Sequence, residues 1–178
     1  MKKKLIIYEL NEVPLKLIEH YCNLYPYSTF SEIRKNGFLK ETYTYDSGEL
    51  HPWVTWPTVH RGVGNKLHKI TSINQNLDHA RSFPPIWERL IDLKIDIGIF
   101  GALQSYPPIK NKFVKFYLPD TFSPTKDTFP DYLSSFQAFN LYLAGKNKAI
   151  TSNLNIKSII LFFKLIFSFP FILRVSLK

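Results

Sequence analysis

Cysteine is nearly missing from this sequence. Of 178 residues one is cysteine, Cys22, which excludes an intramolecular disulfide and a thiolate zinc cage. It stands between Tyr21 and Asn23 in an aromatic stretch, the setting of a buried inert thiol rather than a nucleophile. Such sparing use of cysteine suits a reducing compartment. A secretory h-region is also lacking. Lys2, Lys3 and Lys4 precede Leu5-Ile6-Ile7-Tyr8, and Glu9 already ends the apolar run. A cytoplasmic location without a signal peptide is therefore expected. Residues 159–173 are strongly apolar, but Lys164 and Pro170 interrupt them. The stretch is shorter than the roughly 20 residues of a spanning helix. A buried helix is the preferred reading, and a peripheral helix on a membrane surface is the alternative. The chain has no internal repeat and no low-complexity linker. It carries no zinc finger and no aromatic ribonucleoprotein motif, so nucleic acid is not an expected partner.

What is present is enough for a folded domain with a real core. Hydrophobic residues make up 45% and charged residues 21%, which excludes disorder as the default. The net charge is +9, which fits an anionic membrane surface, a phosphorylated substrate or simply a lysine-rich proteome.

Along the chain, residues 5–10 read as a buried strand and residues 13–21 as a helix, with Pro14 in its first turn. Residues 30–35 read as a second helix, ended by the Asn36-Gly37 cap signal. Residues 38–45 alternate partly and favour a strand, closed by the Asp46-Ser47-Gly48 turn. A short helix over 53–61 must carry Pro57 in its first turn or be kinked by it. Residues 71–83 are polar loop, and Pro84-Pro85 opens a helix through Leu93. Strands over 96–101 and 113–118 and a helix over 132–143 complete the pattern. Helix followed by short apolar strand, repeated, is the signature of an α/β fold with a mostly parallel sheet flanked by helices.

Hydroxyls and imidazoles crowd into residues 49–70. A hydroxyl at the start of a helix faces unsatisfied N–H groups and the positive dipole end. That place suits a nucleophile attacking a phosphate or sulfate ester, because the same N–H groups hold the anion. Thr55 and Thr58 are the candidate nucleophiles, and helix capping or packing is the plain alternative for both. His60 lies one turn beyond Trp56 and reads either as a core histidine or as a substrate contact. His68 is placed either to pin the following loop or to touch substrate.

This segment resembles the nucleophile region of the alkaline phosphatase-like superfamily, which includes type I phosphodiesterase/nucleotide pyrophosphatases and sulfatases. Thr55-Trp56-Pro57 matches the nucleophile followed by any residue and then proline. Gly62 ends the short helix, and His68-Lys69-Ile70 stands six residues on, where the pattern has a His-Gly-Ile-like triplet. Leu10-Asn11-Glu12 stands where the pattern has Leu-Asp-Gly. Weaker similarity continues from Trp87 to Gly101, through Ser105-Tyr106-Pro107-Pro108 and to Pro119-Asp120-Thr121-Phe122, as in an uncharacterised bacterial branch. Three departures mark the chain. Asn11 replaces a metal-binding aspartate, and a neutral amide oxygen is a poorer ligand for a divalent cation. The step from Thr55 to Gly62 is three residues short, and the usual count lands on Pro52. The superfamily's remaining Asp and His ligands have no counterpart at the expected distance.

The resemblance implies an alkaline-phosphatase-like three-layer sandwich, incomplete, with residues 1–150 as its N-terminal part. Residues 151–178 would form an apolar helix at the start of a missing remainder. It implies a phosphate-ester hydrolase with a Thr nucleophile and two divalent metal ions, zinc or manganese, with Asn11, Glu12 and Thr55 as metal-site residues. The substrate would be a small-molecule or glycan-linked phosphate ester, with His60 and His68 on the substrate side. Such an enzyme must lower its barrier by upwards of about 15 kcal/mol, so a chain with one or two ligands is expected to be inactive alone. The alternatives are a non-catalytic remnant or binding module of the same fold, and a membrane-surface protein anchored through residues 159–173.

Overall fold

The computed structural model describes residues 4–145 and 156–168. The chain divides into two units, Met1–Tyr43 and Thr44–Lys178.

The first unit is a helical pair. Helix α1 spans Leu15–Leu24 and buries Cys22. Helix α2 spans Thr29–Asn36, and its N-cap Ser28 accepts from the Ser31 N–H at 3.3 Å. Glu32 in the first turn and Arg34 and Lys35 in the last complement the helix dipole. The Ser31 hydroxyl donates to the Tyr25 carbonyl at 2.8 Å, tying α2 to the end of α1. Arg34 reaches Glu19 at 3.0 Å, and Tyr21 meets Phe30 edge to face. Residues 5–10 and 38–45 form no strand, contrary to the expectation from their apolar pattern. A strand needs a paired neighbour and a face to bury. Here Leu5 and Ile6 are 82% and 87% exposed.

The second unit holds the sheet. Helix α3 spans Pro52–Arg61, and Pro52 rather than Pro57 takes the first-turn place, leaving Pro57 inside the helix. Helix α4 is the single turn Asn65–His68. Helix α5 covers Ile86–Asp92. Strand β1, Ile97–Phe100, pairs in parallel with β2, Val114–Leu118. This two-stranded parallel sheet and its helices make the unit mixed α/β. Trp87 and Ile91 of α5 pack on Ile97, Val114 and Tyr117 of the strands, and this cluster is the core. Gly98 is required by close approach, because a Cβ there would lie 2.3–2.9 Å from the Phe116 ring on the neighbouring strand.

Helix α6, Ser134–Ala144, packs against α7, Ile156–Ser168, with Phe139 beside Phe162. Gln137 of α6 is fully buried and donates to the Asp120 carbonyl and the Ser123 hydroxyl, both at 2.8 Å. No helix among the described residues is long and apolar enough to cross a membrane. The part of the apolar C-terminal segment beyond Ser168 lies outside the described residues.

Candidate functional site

The dense segment folds as a helix, a tight turn and a second helical turn. His51 is the N-cap of α3 and Pro52 its first residue, which suits proline because that N–H has no partner within a helix. Gly62 ends the helix in the left-handed region at φ 67°, with its N–H donating to the Thr58 carbonyl at 2.9 Å. Lys69 ends α4 in the same region at φ 54°.

With α3 starting at Pro52, neither threonine stands at the helix terminus. Thr55 lies in the second turn, and its hydroxyl donates back to the His51 carbonyl at 3.4 Å. That is the usual way a mid-helix threonine satisfies itself. The expected cradle of free N–H groups therefore does not surround Thr55. The position that the superfamily count selects is Pro52, which has no hydroxyl.

Thr58 and His68 do meet. Thr58 Oγ1 and His68 Nε2 are 2.9 Å apart, and His68 is 0% exposed. The tautomer follows from the other ring nitrogen. The Ile70 N–H donates to His68 Nδ1 at 3.0 Å, so Nδ1 carries a lone pair and the ring hydrogen sits on Nε2. His68 Nε2–H thus donates to Thr58 Oγ1, and the Thr58 hydrogen turns toward the Val54 carbonyl at 3.4 Å and the neighbouring Asp46 carboxylate. In this arrangement the imidazole cannot take the threonine proton. Burial lowers the His68 pKa, the charge of Asp46 opposes that, and the ring is held neutral.

Asp46 closes the network. Its Oδ1 accepts from the Asn65 N–H at 2.6 Å. The Asn65 amide donates to the Ser47 carbonyl at 2.7 Å and accepts from the Ser47 N–H at 3.3 Å. Burial pushes the Asp46 carboxyl up. The Thr58 hydroxyl, the Asn65 N–H, the Thr44 hydroxyl and His68 outweigh it, and the net shift is downward. Such a carboxylate is a weaker base than an ordinary one. The sequence showed Asp46 as a turn residue. Its reach to a helix nineteen positions on carried no local signal.

His60 is 6% exposed, stacked on Trp56 and edge-on to Trp87 at 5.0 Å. It is a packing histidine beside the core. Arg61, at the end of α3, is buried and donates to the Ala80 and Phe83 carbonyls at 3.1 and 2.5 Å, fastening the loop before α5. Burial lowers its pKa against the pull of Glu88, whose own carboxyl burial raises. Arg61, Glu88, Ser105 and Asp120 border a cleft of about 790 Å³. Asp120 is a turn residue there, accepting from the Gln104 and Phe122 N–H groups at 3.1 and 2.8 Å.

Asn11 and Glu12, expected at a metal site, precede α1 in the first unit. Thr55, the third residue expected there, lies in α3 of the second unit with its hydroxyl engaged by the His51 carbonyl. Among the described residues no three His, Cys, Asp or Glu side chains are grouped to hold a metal ion. An amide, one carboxylate and an engaged hydroxyl do not fit a two-metal centre.

Comparison with protein-family models, with curated proteins and with solved structures finds no match to this chain.

Proposed function

We propose that this chain is a non-catalytic α/β module descended from the alkaline phosphatase-like superfamily, in which the nucleophile segment has become a hydrogen-bonded clasp. The observation that carries this reading is the bond from the Ile70 N–H to His68 Nδ1. It fixes a tautomer that donates to Thr58, the opposite of what activating a nucleophile requires. Pro52 at the nucleophile count and the engaged Thr55 hydroxyl point the same way.

The ancestry is supported by backbone conformation. Glu12 and Lys69 stand where the superfamily pattern has glycine, and both adopt φ 54°. A left-handed conformation costs a non-glycine residue roughly 1–2 kcal/mol; its presence at both positions supports an inherited loop shape, although Asn74, Lys94 and Gln104 adopt it too. On this reading β1, β2 and α5 belong to an incomplete three-layer sandwich.

A second reading is a metal-dependent phosphate-ester hydrolase with Thr58 as the nucleophile, its metal ligands lying outside these residues. The 2.9 Å approach of imidazole and hydroxyl favours it. Hydrolysis of bis(p-nitrophenyl) phosphate by the full chain with added zinc or manganese separates the two. The clasp reading expects no turnover above buffer with metal. Turnover that Thr58→Ala abolishes would establish the hydrolase.

A further inference from the structure

Helix α7 presents an exposed apolar stripe among the described residues. Ile156, Ile159, Ile160, Phe163 and Phe167 recur at three- and four-residue spacing, so they share one face. They are 78%, 44%, 50%, 52% and 80% exposed. The opposite face carries Ser158 and Leu165, at 2% and 6%, and this is the face turned into the protein. A surface helix normally buries its apolar side and wets its polar one. On this helix the exposed side is the apolar one, and the inward side carries the polar Ser158 beside Leu165.

Its charge is one-sided too. Lys157 and Lys164, seven residues apart and so on one flank, are its only charged residues. Lys157 extends over the Tyr142 ring of α6, 5.4 Å from its centre. The whole chain carries +9. An apolar stripe edged by lysines, without an acid, complements a surface that is apolar inside and negative outside. The stripe enters the acyl boundary while the lysine stems lie along it and their ammonium groups reach the headgroups. The thirteen residues of α7 extend about 20 Å, against a hydrocarbon core of about 30 Å, so the helix lies in the surface plane rather than crossing it. A protein partner is the poorer match, because a stable interface takes about 20–30 residues a side and this stripe offers five.

We infer that the exposed face of α7 docks the chain onto an anionic lipid surface. This goes beyond the clasp reading and does not depend on it.

The test is flotation of the full chain with vesicles of phosphatidylcholine alone and of phosphatidylcholine mixed with phosphatidylglycerol, at low and high salt. The chain is expected to float with the anionic vesicles at low salt and to be released by high salt. Lys157→Gln with Lys164→Gln should weaken binding by about 30-fold, since each lysine near such a surface contributes about fivefold. Phe163→Glu with Phe167→Glu should abolish flotation, with an unchanged circular dichroism spectrum showing that the fold survives. Equal flotation by wild type and by the Phe163/Phe167 variant overturns the proposal. So does an absence of flotation from a folded wild-type chain. Size-exclusion chromatography completes the test: a dimer dispersed by Phe163→Glu, without vesicle binding, means that a second copy covers the stripe, and again overturns it.

Discussion

Replacing Thr58 with valine tests the clasp by removing one oxygen. Valine keeps the branched shape, so the change deletes the acceptor of the His68 Nε2–H bond together with the hydroxyl's own donation toward Val54 and Asp46. His68 is 0% exposed, so water cannot take the place of the lost partner. A buried donor left unsatisfied costs about 1–3 kcal/mol. Thr58 is half-buried, so the added methyl returns only part of the roughly 0.8 kcal/mol that a buried carbon is worth. The net expectation is a loss of about 1–2 kcal/mol. Thr58→Ser keeps the oxygen and should lose under about 1 kcal/mol. Urea unfolding followed by tryptophan fluorescence is the assay. Trp53, Trp56 and Trp87 all lie in the Thr44–Lys178 unit, so the signal reports the part that holds the clasp. A Thr58→Val midpoint within about 0.5 kcal/mol of wild type, the range of an ordinary surface change, would refute a structural role for the bond.

Other outcomes follow from the same geometry. Lys69→Gly should raise stability by up to about 1 kcal/mol, because relief of the left-handed strain exceeds glycine's extra unfolded-state entropy, whereas Lys69→Ile should lower it in the same urea assay. Gly98→Ala should destabilise by about 1–3 kcal/mol through overlap with the Phe116 ring, and Phe116→Ala in the same chain should recover part of that loss. The folded His68 pKa lies below 6.5. The unfolded chain therefore binds the proton more readily, and stability falls as pH drops below about 6.5. Asp46, with a folded pKa below 3.8, adds a further loss only in more acidic solution. Glu88 and Asp120 titrate in the opposite sense, so the His68 contribution is read as the difference between wild type and His68→Gln.

The elements legible in the sequence were those whose signals are local. Residues 96–101 and 113–118 read as strands and appear as Ile97–Phe100 and Val114–Leu118. Each is a largely apolar run bounded by turn residues, and Ile97, Val114 and Tyr117 from the two bury against Trp87. Pro84-Pro85 announced α5, and Gly62 the end of α3. Residues 5–10 and 38–45 have equally good strand composition but pair with no strand among the described residues, and β-propensity describes a fit to a half-buried surface rather than a backbone habit. In the site, the short-range letters picked out Thr58 and His68 as candidates. They did not show which way the hydrogen bond runs, because that depends on the Ile70 N–H approaching the far side of the ring. Asp46 and Arg61 act at separations of nineteen residues or more, beyond any periodic pattern. Thr55 was displaced from the helix start by a first turn that begins at Pro52 rather than one residue later.

The clasp depends on where the His68 hydrogen sits, and long-range proton–nitrogen correlation of the imidazole by NMR reads that position directly. The clasp predicts a neutral ring at pH 7 with its hydrogen on Nε2 and an unprotonated Nδ1. A ring carrying its hydrogen on Nδ1 at that pH would leave Nε2 facing Thr58 as a base, and would contradict the account.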